Sequence, residues 1–381
     1  MKFTCEKALL QSAILTASRA VPAKSSIPAL EGILIEADLD LRLTGYNLET
    51  GIRTVVPADI SETGSMILSA RLFGEIVRKL PDDLISFSTN GFLVHIQCGM
   101  SEYNLMGTDP EDFPALPMVE YQNSFDIAEK TLRFMLSQTL FAVSDNESRP
   151  IHTGALFEIE ENLFTLVAVD GFRLALRREA IESKGDYRFV VPAAALREVE
   201  KICRDLEEPA SITMGARHVM FKINETILVA RRLEGEFLSW RQAIPRNGSV
   251  HLTTDRRLLL AAIDRVSLII SDKLKSPLRC VFTEGEVRLS TKTAIGDASD
   301  CCPTEGVCEQ LEIGFNDKYM MDALRAIPAD RIQLELGNGV SPCVIVPAEG
   351  DESCIYIVIP VRLKSVENLK TNYWRIQLKK K

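Results

Sequence analysis

Two patterns of apolar spacing alternate along this chain, and the pair returns in the same order three times. Phe3-Thr4-Cys5, Phe125-Asp126-Ile127 and Val250-His251-Leu252 alternate apolar and polar side chains, as a half-buried strand does. After a few polar residues each gives way to apolar positions stepping by three and four. These are Leu10/Ala13/Ile14/Ala17, Leu132/Met135/Leu136/Leu140 and Leu259/Ala262/Ile263/Val266. That spacing collects them on one face of a helix. A second strand-to-helix passage keeps step with the first. Met66-Ile67-Leu68-Ser69 leads into ARLFGEIVRKL, Arg188-Phe189-Val190-Val191-Pro192 into AAALREVEKIC, and Leu311-Glu312-Ile313-Gly314 into FNDKYMMDALRAI. Ser69, Pro192 and Asn316 stand where a helix start needs an acceptor or a preset backbone angle. The first marker recurs after 122 and then 125 residues, and the second trails it by 63, 63 and 61. Two markers in phase are a repeat rather than a coincidence.

The spacing predicts helices over 6–20, 70–80, 128–143, 193–205, 253–266 and 317–327. Between them the chain reads as short strands, such as Gly32–Glu36, Leu156–Ile159 and Val281-Phe282, with turns at Asn90-Gly91, Asp170-Gly171 and Glu284-Gly285. Each repeat is therefore an α+β unit of about eight strands and two helices packed on antiparallel sheets. A unit of ~120 residues is far longer than the roughly 20–50 residues of a solenoid repeat, so these are whole domains. Polar stretches near Glu120–Ser124 and Arg246–Ser249 set the boundaries: 1–121, 122–247 and 248–363, followed by 364–381, a basic extension expected to be flexible.

Composition narrows the chemistry. With 46% hydrophobic and 25% charged residues in 381, the chain has the balance of a globular protein. No apolar run reaches the ~18–20 residues of a membrane span, and the start MKFTCE lacks the apolar stretch of a signal peptide. A cytoplasmic protein without a membrane partner is expected. The nine cysteines (Cys5, Cys98, Cys203, Cys280, Cys301, Cys302, Cys308, Cys343 and Cys354) show no C-x-x-C pair. The adjacent Cys301 and Cys302 would point apart, so reduced thiols are expected rather than a metal site. Phosphate-binding loops, nucleophile–base signatures and carboxylate clusters are likewise not evident. A non-enzymatic protein without cofactor or metal is expected.

The net charge of −9 argues against a protein that grips nucleic acid by bulk electrostatics. The charge is unevenly spread, however. The six predicted helices carry five more Lys and Arg than Asp and Glu, leaving −14 on the rest. Among the cations on them are Arg71, Arg78, Lys79, Arg133, Arg197, Lys201, Arg256, Arg257 and Lys318. They are either solvated faces or a weakly basic lining.

Three in-phase α+β modules ending in Tyr356-Ile357-Val358-Ile359-Pro360-Val361-Arg362-Leu363 resemble the bacterial sliding clamp family, the beta subunit of DNA polymerase III. The resemblance runs from Met1 to Leu363. It is carried by MKFT, Ile27–Leu30, Leu43–Glu49, Asp112-Phe113-Pro114, Val169–Ala175, Ile313–Asn316 and the terminal I-P-V-R-L. It implies a head-to-tail homodimer whose six modules form a ring, with sheets outside and helices facing double-stranded DNA without regard to sequence. It implies tethering of the replicative polymerase for processive replication. The partners implied are the DNA polymerase III alpha subunit, the clamp loader, and other polymerases and repair proteins carrying short linear motifs. A second-copy clamp serving repair or a mobile element is the alternative, with the same fold and pocket.

The resemblance also assigns residues. Lys24 would touch DNA from a loop, with Arg149 on the same path, although Pro150-Ile151 replaces an aromatic pair the family can carry. One wall of a partner-peptide pocket would be His152, Thr153, Gly154, Val169, Gly171, Phe172, Arg173 and Leu174. The other would be Phe237, Leu238, Ala243, Asn316, Tyr319, Val340, Pro342, Ile357, Ile359, Pro360, Val361 and Arg362. Such a cleft takes a peptide's apolar anchors while a few polar groups set its register; filling of an intermodule seam is the plainer alternative. Leu238 stands where the family commonly has proline, and His152 where it has an aliphatic residue. The subunit seam would pair Tyr103 and Leu105 with Leu268 and Ile269, against core placement as the alternative. The family usually stops at the Arg-Leu matching Arg362-Leu363. The extension beyond, with a charge of +5 and Tyr373-Trp374-Arg375 within it, is a flexible tail or cloning remnant, an added DNA- or partner-binding arm, or a flap over the pocket.

Overall fold

The computed structural model describes residues 1–120, 123–183, 185–245, 248–270, 276–350 and 353–363. The extension 364–381 and parts of both expected module boundaries lie outside the described residues. Seven helices are present among those described: α1 (Lys7–Ser18), α2 (Ala70–Lys79), α3 (Glu129–Thr139), α4 (Ala193–Ile202), α5 (Trp240–Ala243), α6 (Arg256–Ser267) and α7 (Asp317–Ala326). Six answer to the predicted ones, and their buried faces are those read from the spacing: Leu10, Ala13, Ile14 and Ala17 in α1, and Leu259, Ala262, Ile263 and Val266 in α6.

The limits differ where a local interaction decides. The helix expected from 253 begins at Arg256, because Thr253 N–H donates to the Glu305 carbonyl (2.8 Å) and keeps Thr253 in its strand. Asp255 then caps α6, its Oδ1 accepting from Arg257 and Leu258 N–H at 2.8 and 2.9 Å. Helix α4 stops at Ile202 rather than 205, since Cys203 turns to an extended conformation. Helix α3 tightens into a 3-10 turn over Leu140–Ala142. Helix α5 was not anticipated.

Strands number nine, eight and eight in the three successive repeats among the described residues, the extra one being Asp59–Glu62, which pairs with Lys2–Glu6. The chain divides into two compact units. One holds Met1–Leu136, Phe157–Phe164 and Ala180–Gly235; the other holds Ser137–Leu156, Thr165–Glu179 and the chain from Glu236 on. The division runs through the middle repeat, and strand pairing explains it. In the first unit Thr226–Arg231 pairs antiparallel with Thr50–Val56, which joins strands of the first and second repeats into one eight-stranded sheet. In the second unit Arg173–Ala180 pairs antiparallel with Cys354–Val358, so strands of the second repeat continue into those of the third.

Within the first unit, α1 and α2 lie against each other over Phe3, Ile14, Phe73 and Phe87, with the Phe3 and Phe87 rings stacked at 4.7 Å. Arg19, the C-cap of α1, pairs with Glu198 of α4 at 3.2 Å. In the second unit α6 packs against α7, and Gln138 Nε2 at the end of α3 donates to the Ala326 carbonyl at the end of α7 (2.8 Å). All nine cysteines are free thiols, and Cys301 alone is exposed while its neighbour Cys302 is buried, the alternation a strand imposes.

Candidate partner pocket and nucleic-acid face

Several of the expected pocket residues gather around a turn. Asp170 Oδ1 accepts from Phe172 and Arg173 N–H at 2.8 and 3.0 Å, and Gly171 between them sits at φ +93°, where a side chain would be strained. The turn lifts Phe172 out of the sheet and leaves it 59% exposed. Arg173, by contrast, is drawn inward. Its Nε donates to Asp170 Oδ2 (2.9 Å) and its Nη1 to Asp322 Oδ2 (2.6 Å), while its guanidinium lies over the Tyr319 ring at 4.4 Å. Tyr319 is presented by the first turn of α7, which Asn316 caps by accepting from the Tyr319 N–H (3.2 Å). The Phe172 and Tyr319 rings then stack at 6.4 Å.

The chain after Cys354–Val358 forms the adjoining wall. Leu174 pairs with Ile357 across the sheet, and both are buried, as is Val169. Ile359 N–H donates to the Phe172 carbonyl (2.9 Å) and Val361 N–H to the Gly314 carbonyl (2.8 Å). These two bonds hold the segment straight and turn Ile359 and Val361 partly outward, with Pro360 half-buried and Arg362 exposed. Among the other expected pocket residues, His152 meets buried Phe237 edge-on at 5.7 Å, and its carbonyl accepts from Ser144 N–H (2.9 Å). Burial, aided by the charge of Arg149, holds the His152 imidazole below its ordinary pKa. Thr153 bonds the Pro150 carbonyl (2.7 Å), Gly154 is buried, and Ala243 lies half-buried on α5. Leu238 and Val340 are exposed, the latter in a loop that Asn338 Oδ1 organises. Pro342 lines a cavity of about 220 Å³ with Pro245, Gly337 and Ser341. The structure thus unites Phe172, Arg173, Tyr319, Asn316 and Ile359 by direct contact, and His152 with Phe237. Sequence reasoning missed Asp322, which lies 149 residues from the arginine it holds, and Phe141, whose ring lies 5.3 Å from the same guanidinium; no local signal marks either.

The expected DNA-facing cations are exposed at Lys24, Arg71, Arg78, Lys79, Arg133, Arg149, Arg197, Lys201, Arg257 and Lys318. Arg78 and Lys79 occupy the last turn of α2, where the helix dipole favours positive charge. Lys201 pairs with Glu198 at 2.8 Å. Arg256 is half-buried and braces α7 through the Leu324 carbonyl at 3.2 Å, and Arg257 pairs with Asp330 at 3.1 Å.

Tyr103 and Leu105 lie on Ser101–Met106, the outer strand of a five-stranded sheet. They stand opposite buried Ile96 and Val94, so they share the core-facing side of that sheet, at its open edge. Leu105 packs partly onto the core, while Tyr103 stays 36% exposed. In the second unit Leu268, at the end of α6, is 81% exposed and Ile269 half-buried, and Gly296–Pro303 is the outer strand of a four-stranded sheet.

Repeated two-helix modules on antiparallel sheets, with an apolar cleft against the closing segment of the third, are the architecture of a DNA clamp. Domain by domain, residues 1–117 match the N-terminal domain of the DNA polymerase III beta subunit, 126–238 its central domain and 241–362 its C-terminal domain. The chain belongs to the DNA polymerase III beta-subunit family. It is 34% identical to a beta sliding clamp of Staphylococcus aureus over 377 residues, spanning 95% of this chain and 99% of that one. A beta sliding clamp of Halalkalibacterium halodurans is 32% identical over 95% of this chain and 100% of its own. Among solved structures, the DNA polymerase sliding clamp of Bacillus subtilis superposes with a TM-score of 0.91 at 30% identity, over 96% of this chain and all of that one. A DNA polymerase III beta subunit from Eubacterium rectale gives 0.91 at 33% identity, over 95% and 100%.

Proposed function

We propose that two copies of this chain close head to tail into a ring around duplex DNA and tether the replicative polymerase to it. The observation that carries the reading is the match of three successive clamp domains along residues 1–362. The three modules of each copy are taken as residues 1–121, 122–247 and 248–363. Ring closure uses the two open sheet edges. Ser101–Met106, with Tyr103 and Leu105, meets Gly296–Pro303 of the partner copy beside Leu268 and Ile269, which satisfies strand groups that an open edge leaves unpaired. The helices then face the duplex. By their observed bounds the six long helices carry six more basic than acidic residues, against −9 for the whole chain. That sign fits weak phosphate contact inside and an acidic wall outside.

Weak contact is what the task requires. Phosphate contacts hold no sequence information and loosen with salt, so closure retains the ring while the lining lets it move. The Phe172–Tyr319 cleft receives the linear motifs of the polymerase alpha subunit, the clamp loader and repair proteins. The protein works in the cytoplasm and contributes no catalytic group of its own. Among the described residues no helix is long and apolar enough to cross a membrane. The test is loading onto nicked circular DNA followed by linearisation. A topological ring is retained on the circle at high salt and lost on cutting; equal retention on both forms would exclude encirclement.

A further inference from the structure

We propose that segment 364–381 is an intramolecular ligand of the Phe172–Tyr319 cleft and competes there with partner peptides. The inference rests on reading that cleft as a peptide pocket. The described chain ends on the cleft's own wall. Val361 N–H donates to the Gly314 carbonyl at 2.8 Å, and a Cβ added at Gly314 would fall 2.7 Å from Leu363 Cδ2. Leu363 therefore packs beside Gly314, two residues ahead of the α7 cap Asn316. The segment that follows starts beside its proposed site.

The cleft leaves apolar surface uncovered. Phe172 is 59% exposed, and Ile359, whose N–H donates to the Phe172 carbonyl, is 40% exposed. Grouped apolar exposure of this kind marks a contact surface. The segment carries matching chemistry. In an extended chain Trp374, Ile376 and Leu378 fall on one side and Arg375 and Gln377 on the other. Trp374 lies eleven residues beyond Leu363, a reach of up to ~35–40 Å, enough to double back. Charge agrees as well. The segment has six basic residues against Glu367. Around Tyr319 stand the carboxylates of Asp170, Asp322 and Asp145, of which Arg173 already pairs the first two. The matched C-terminal domain stops at residue 362, so the segment is additional to the shared clamp fold.

Tethering makes a weak contact sufficient. A short flexible linker supplies an effective concentration on the order of millimolar. A segment with an affinity of roughly 0.1–0.3 mM in trans would then occupy its own cleft about three to ten times as often as not. Partner peptides would bind more weakly by about that factor.

The experiment compares the full chain with one ending at Leu363, using two fluorescent probes: peptide 364–381, and a decapeptide with one glutamine followed by leucine and phenylalanine anchors. The expected result is saturable binding of both probes to the shortened chain, about three- to tenfold weaker binding to the full chain, and loss of both on Phe172→Ala. Trp374→Ala in the full chain should restore the decapeptide affinity of the shortened one. Equal decapeptide affinity for full and shortened chains, still lost on Phe172→Ala, would leave the pocket standing and overturn the inference. A change confined to retention on circular DNA would make the segment a DNA arm and also overturn it. Decapeptide binding indifferent to Phe172→Ala in both chains would remove the pocket reading and the inference together.

Discussion

Phe172 is the side chain on which the pocket reading can be tested most directly. An aromatic residue presents about 150–250 Å², and with 59% of Phe172 open to solvent roughly 120 Å² is available to a bound peptide. Covering half to all of it at ~25 cal/mol per Å² is worth about 1.5–3 kcal/mol. Phe172→Ala should therefore weaken peptide binding by roughly ten- to a hundredfold. The fold should tolerate the change, because the Asp170 turn that places residue 172 is made by backbone N–H groups at 2.8 and 3.0 Å and survives it. The assay is fluorescence anisotropy of the labelled decapeptide, with thermal melting as the control. A dissociation constant within twofold of the parent, at unchanged melting temperature, would refute the placement of the peptide against this ring.

Three further outcomes follow from other parts of the molecule. Burial pushes the Glu129 carboxyl up, but hydrogen bonds from the Arg204 side chain and backbone and from Asn224 outweigh it and hold the pKa below the ordinary 4.5. Its contribution to stability is thus present above pH 4.5 and lost as pH falls through the lowered value. Glu129→Gln should be less stable than the parent at pH 7, by about 1–3 kcal/mol in urea titrations, with the gap narrowing below pH 4.5; a gap independent of pH would contradict the assignment. Tyr103→Glu combined with Leu268→Glu places like charges at the proposed seam and should give monomers at micromolar concentration by sedimentation, and a persistent dimer would move the seam elsewhere. Replacing Arg78 and Lys79 with alanine should lower the salt slope of DNA association by about 1–2 units, at ~0.9 per phosphate contact, while retention of loaded rings on circular DNA changes little.

The repeat was legible because its signal is local. Leu10, Ala13, Ile14 and Ala17 face inward whatever the partner, since the helical period alone decides which side chains share a face. Helix ends were less legible. The choice between Thr253 and Arg256 turned on a hydrogen bond to Glu305, far along the chain. The pocket divides in the same way. Asp170-Gly171 reads as a turn from its residue types, and the exposed Phe172 follows from that turn. The brace on Arg173 does not, since Asp322 comes to it only after Arg173–Ala180 has paired with Cys354–Val358.

What the sequence determined by itself is the module: two amphipathic helices and their strands, three times over, with a net basic balance on the helices. What only the tertiary structure decided is which module's strands continue into which. The middle repeat shares one sheet with the first and another with the third, because a strand edge offers the same backbone donors and acceptors to every partner, and packing selects among them. That selection sets Phe172 beside Tyr319, and Leu363 beside Gly314.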